Sequence, residues 1–215
     1  MPVSHRPLRS IVADHRGVAL LEFALSLPIV LTLGTLGIEI ANYALINMRM
    51  SQIALNLADN ISRAGEASQL ALTKLRESDV NDAFQAARLQ GSSYALTTRG
   101  RIVLSSLEQN SAKAQYIHWQ RCLGAARYNS TYGVQGAVVT NGMGPATGVK
   151  IKAPLDSAVM FVELTYDYQP LFLNNILSGK QLHYTAAFLV RDRRDLSGTG
   201  LSADTAASTC SKYAA

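Results

Sequence analysis

The sequence predicts an α+β protein: a long N-terminal transmembrane helix that continues into an amphipathic helix, then a C-terminal domain with a mainly antiparallel sheet. Three observations carry this. Val18 to Ile38 is apolar apart from one acid, Glu22. Ile46, Met50, Ile53, Leu57 and Ile61 then recur at spacings of 4, 3, 4 and 4, which marks one face of a helix. Further on, Met160, Val162, Leu164, Tyr166 and Tyr168, and again Leu182, Tyr184, Ala186, Phe188 and Val190, alternate with the period of strands.

The first 17 residues form a basic leader, with Arg6, Arg9 and Arg16 against Asp14, ending in Gly17. The helix follows. Phe23 to Ile38 is 16 uncharged residues, spanning about 24 Å, which is short of a hydrocarbon core of about 30 Å. Extension back to Val18 gives 21 residues and about 31 Å, so a spanning helix carries Glu22 inside or at the edge of the hydrocarbon. A charge at the bilayer centre costs roughly 2.5–3.5 kcal/mol on insertion scales and usually marks function. A removable signal peptide fits poorly, because the apolar run is too long, an acid sits in its first turns and the chain beyond it stays helical. Residues 18–64 therefore read as one helix of about 70 Å, with a kink expected at Pro28 and local weakening at Gly34 and Gly37. The basic leader favours a cytoplasmic N-terminus, a bias that Arg49 and Arg63 weaken.

Residues 65–191 read as the α+β domain. Leu72, Leu75, Ala83 and Ala87 predict a helix or helix pair, with Ser78 as N-cap and Asp79 and Asp82 in the next turn. "GRIVLSSLE" predicts an apolar strand, and "AQYIHWQR" one that alternates Ile117 and Trp119 against His118 and Gln120. Tyr128 to Pro154 is Gly-rich and predicts a long loop. Few helical crossovers separate the strands, so antiparallel pairing is expected. Residues 192–215 read as a loose tail unless Cys210 ties it down.

The chemistry-bearing motifs are sparse. A net charge of +5, without Lys/Arg runs interleaved with aromatics, argues against nucleic-acid binding. No GxSxG, HExxH, Walker loop or CxxC is present, and the sequence asks for no metal or cofactor. Gly142, Gly144 and Gly148 are followed by "VKIKA", not a helix, which argues against a dinucleotide loop. His118 and Cys122 are four apart, roughly 13 Å along a strand, too far for a nucleophile–base pair. "NST" at Asn129 matches a glycosylation sequon of the kind common by chance. The two cysteines, Cys122 and Cys210, are either a disulfide, if the domain lies outside the cytoplasm, or two free thiols. Glu22 either pairs with a cation or sits protonated at the membrane edge.

Gly17, then Val18, then Glu22 and Phe23 at the fifth and sixth helical positions together resemble the class III signal of type IV pilin-like proteins. The wider string "RGVALLEFALSLPIVLTLGTLGIEIANYALINM" is similar to the TadE/TadF pseudopilins of the tight-adherence (Flp) pilus system. The resemblance covers about Arg16 to Leu57. It implies cleavage after Gly17 by a membrane prepilin peptidase, and pairing of Glu22 with the freed amine of Val18 on a neighbouring subunit. Glu39 matches an acid near the outer end of the TadE helix. The major pilins of that system are very short and carry Glu-Tyr; this longer Glu-Phe chain resembles a minor, assembly-associated subunit, with TadE and TadF not separated by this stretch. The implied setting is the inner membrane, with the N-terminus cytoplasmic and the domain periplasmic. The implied partners are the peptidase, other pilin and pseudopilin subunits and the inner-membrane assembly platform. The alternative from another class is a single-pass anchor for a periplasmic ligand-binding or hydrolase domain.

Overall fold

The structure is a computed structural model that describes residues 17–65, 72–172 and 179–214. Of the basic leader, only Gly17 lies within the described residues. A single helix, α1 (Val18–Arg63), runs for 46 residues, about 69 Å, and continues through Pro28. Its two halves meet different surroundings. From Val18 to Ile38 its side chains are exposed, apart from a half-buried Thr35. From Glu39 onward one face is buried: Glu39, Ile46, Met50, Ile53, Ala54, Leu57, Ala58 and Ile61. The five apolar positions expected to form a seam all lie in this face. Burying a large aliphatic side chain of this kind is worth roughly 1.5–3 kcal/mol, so the second half of the helix is a core element. The helix ends where the buried Arg194 donates from Nη2 to the carbonyls of Ile61, at 3.2 Å, and Ala64, at 2.5 Å. A cation there satisfies orphan carbonyls and complements the helix dipole.

The second helix, α2 (Glu77–Gln90), starts earlier than expected, with Arg76 as N-cap; Ser78 lies inside the first turn. The reason is that the cap comes from acids. The Asp79 carboxylate accepts from the Arg76 N–H at 2.9 Å, and Asp204, far along the chain, accepts from the Ser78 N–H at 3.0 Å. Leu72 and Leu75 precede the helix and do not belong to it; Leu75 is buried and Leu72 exposed. After a 3₁₀ turn (Ser92–Tyr94) and the short α3 (Leu96–Arg99) come four strands: β1 (Gly100–Gln109), β2 (Gln115–Leu123), β3 (Val159–Asp167) and β4 (Gln181–Leu189). They form one antiparallel sheet in the order β2-β1-β3-β4.

One sheet face carries Ile102, Leu104, Trp119, Met160, Val162, Leu164, Tyr166, Leu182 and Ala186 against the second half of α1 and against α2. The other face carries Leu107, Ile117, Val159 and Phe161 beneath Met143 and Ala153 of the long loop. Ile117 and Trp119 are thus in opposite cores, not on one face. The pairing steps from Ser106↔Trp119 to Leu107↔Ile117 and leaves His118 without a partner on β1. That extra residue is a β-bulge, which breaks the period of two.

Residues 192–214 are strapped to the domain. Thr73 exchanges backbone hydrogen bonds with the 193–195 segment, and Ser202 does so with Leu75 and Glu77. Cys210 is joined to Cys122. The buried Arg101 donates to the carbonyls of Gly124, Cys210 and Lys212, and its guanidinium lies 4.3 Å from the centre of the Tyr213 ring. The condition stated for this segment, a tie at Cys210, is met.

Candidate functional site

α1 carries one acid within its apolar half, Glu22, and one just beyond it, Glu39, and the fold treats them differently. Glu39 is 0% exposed. One of its oxygens accepts the phenolic proton of Tyr168 at 2.5 Å; the other accepts the N–H groups of Leu171 and Phe172 at 2.9 and 2.8 Å. Tyr168 follows β3, and its hydroxyl also accepts from the Asn42 amide at 3.0 Å. Its ring meets Tyr43 edge-on, with centroids 5.0 Å apart. Burial, and then the hydrogen bond to Glu39, push the Tyr168 phenol up to about 12, so it remains a donor at any ordinary pH. Donors such as these on a buried carboxylate are the compensation that burial demands.

Glu22 has none of this. It is exposed, and among the described residues it has no hydrogen-bond or ion-pair partner. Its neighbour Phe23 is 62% exposed, and Val18 is exposed too. Gly17 occupies the N-cap with φ −88°, ψ −9°, a conformation open to any residue. Among the described residues, a Cβ added there would meet nothing within 4 Å. Packing among the described residues therefore requires neither a glycine at 17 nor a carboxylate at 22. Gly17, Val18, Glu22 and Phe23 lie along one exposed helical start. Cys122 and Cys210 lie apart from it, on the domain, as a disulfide with a sequence separation of 88.

A second polar cluster surrounds the bulge. Glu108 is buried; it accepts from Ser106 Oγ at 2.6 Å and lies 2.8 Å from His118 Nδ1. His118 Nε2 lies 3.0 Å from the Gly198 carbonyl. Both ring nitrogens thus face acceptors, which is the arrangement of an imidazolium. The hydrogen bond to Glu108, against the opposing effect of burial, holds the His118 pKa above its ordinary value. A serine, a histidine and an acid are together here, but in an order that makes no nucleophile. Ser106 faces the acid, not the imidazole, and it is fully buried. Nor can Cys122 act as a thiolate while it is bonded to Cys210. Among the described residues no group of three His, Cys, Asp or Glu side chains could hold a metal ion.

The partners of Glu39 are what sequence reasoning missed. A signal for them existed: Glu39 stands one heptad before Ile46, on the same face, so it had to be buried and to need donors. Among the described residues, α1 is the one helix long and apolar enough to cross a membrane. No protein-family model, curated protein or solved structure matches this chain.

Proposed function

We propose that this chain is a membrane-anchored minor pilin-like protein of the TadE type, which takes part in assembling a tight-adherence pilus. The observation that carries this reading is the contrast between the two acids. Glu39 is satisfied within the chain; Glu22 has no partner among the described residues, and it sits on an exposed apolar helix, where, in a membrane, a lone carboxylate must find a cation or protonate. A cation from outside the chain is the consistent partner. The amine that cutting between Gly17 and Val18 would create lies within about one helical turn of Glu22, and a neighbouring subunit would offer the same amine. A glycine at 17 that the fold does not need fits a residue read by a peptidase. The domain then stands on the periplasmic side of the inner membrane, a compartment where a Cys122–Cys210 disulfide persists. Its partners are the prepilin peptidase, other pilin subunits and the assembly platform, and its role is structural, not catalytic.

The test is the mass of the mature chain. Protein extracted from the membranes of cells that hold a prepilin peptidase should begin at Val18, and Gly17 replaced by a bulky residue should block cleavage. A full-length N-terminus in those cells would overturn the processing step and leave a plain single-pass anchor.

A further inference from the structure

We propose that the Leu171–Phe172 turn is a second membrane contact, seated at the outer boundary between headgroups and acyl chains, beside the point where α1 leaves the hydrocarbon. The inference rests on α1 being the membrane anchor, and it adds an insertion that the anchor alone does not require.

The geometry fixes the depth. Glu39 directly follows the uncharged run Phe23–Ile38, so it marks the end of the hydrocarbon stretch. The N–H groups of Leu171 and Phe172 both bond to one oxygen of Glu39, at 2.9 and 2.8 Å. The turn is therefore held at the level of that boundary by direct hydrogen bonds. Its side chains do not turn into the domain: Leu171 is 55% exposed and Phe172 54%. No charged residue lies between Asp167 and Lys180. Two backbone N–H groups already satisfied on a carboxylate, and two bare apolar side chains, suit a medium poor in water. The occupant is lipid because the turn is hydrogen-bonded to Glu39, whose neighbours along α1, Leu36, Ile38 and Ile40, are exposed apolar residues that the bilayer covers if α1 is the anchor. An apolar element at such a boundary sinks about 5–10 Å into it.

The experiment reconstitutes the full chain into vesicles at low protein-to-lipid ratio, with lipids brominated either near the head or near the tail of the acyl chain. Three tryptophan variants are compared over the constant background of the buried Trp119. Ile29→Trp reports on the anchor, Phe172→Trp on the turn and Val149→Trp on the far end of the domain, where Val149 is 87% exposed. The expected result is strong quenching of Ile29→Trp by tail-brominated lipid. Phe172→Trp should lose roughly half its emission in head-brominated lipid, at the shallow depth of an interfacial group. Val149→Trp should be unchanged. Quenching at Ile29→Trp without quenching at Phe172→Trp overturns the turn insertion and leaves the anchor standing. Quenching at neither overturns both. A Phe172→Trp signal that shifts only when protein is crowded identifies a second copy as the occupant and also overturns the proposal. Phe172 is exposed and the change is conservative, and retention of the Cys122–Cys210 bond in each variant checks the fold.

Discussion

Tyr168 donates its phenolic proton to Glu39 across a sequence separation of 129 residues, at 2.5 Å. The bond joins the end of β3 to the point on α1 where exposure gives way to burial. Tyr168→Phe keeps the ring contact with Tyr43 but removes a donor from a buried carboxylate and an acceptor from Asn42. We expect a loss of about 1–3 kcal/mol, read as a lower melting temperature of detergent-solubilised protein. A variant as stable as the parent would show that the two amides and the unaltered surroundings suffice for Glu39.

The disulfide closes a long loop, with a separation of 88 residues. In the chain-entropy model such a loop is worth on the order of 4 kcal/mol. Cys210→Ser should lower the melting temperature clearly and free Cys122 for alkylation, whereas native, non-reduced protein should label at neither cysteine. Two labelled thiols in native protein would refute the link.

His118 gives the domain a pH dependence of predictable sign. Its folded pKa is raised above 6.5, chiefly by the hydrogen bond to Glu108. A raised folded pKa means that the imidazolium's contribution is fully present below the unfolded value, near 6.5, and is lost as pH rises through the folded one. Denaturation midpoints should therefore fall on raising the pH from below 6.5 upward, and His118→Gln should flatten that slope. Among the described residues, Glu108, the raised Tyr116 phenol beside the ring and Arg194, which feels the Glu108 charge, belong to the same cluster.

Under the proposed role in pilus assembly, Glu22 separates assembly from insertion. Glu22→Ala makes the helix more hydrophobic, so membrane integration should survive or improve. The domain fold should be unchanged, because nothing in it touches Glu22. Crosslinking to other pilin subunits should fail. Glu22→Gln should fail almost as badly, and Glu22→Asp, one methylene shorter, should be intermediate. Normal crosslinking by Glu22→Ala would reduce Glu22 to a tolerated acid at the membrane edge.

What could be read in the chain beforehand follows from periodicity. The seam Ile46–Ile61 and the inward faces of β3 and β4 are regular repeats, and regular repeats are local information. The bulge at His118 was hidden because one inserted residue changes a face without changing composition. The start of α2 was missed because its donors are met by Asp79 and by Asp204, and the second of these is known only once the tail is placed. Glu39 entered the sequence reading only through the resemblance, and its donors lie on a turn that only the folded sheet brings near.

The absence of any linker between the two halves of α1 has a mechanical consequence. A force drawing the helix outward along its axis reaches the sheet as shear along the whole buried seam from Ile46 to Ile61. Contacts loaded side by side share such a load, whereas contacts peeled one by one do not. The tie at Glu39 is the first to feel it, and Arg194, on the carbonyls of Ile61 and Ala64, is the last. The domain and the exposed apolar stretch of α1 are therefore one stiff unit, and in the proposed assembly the azimuth of one helix would set the domain's orientation.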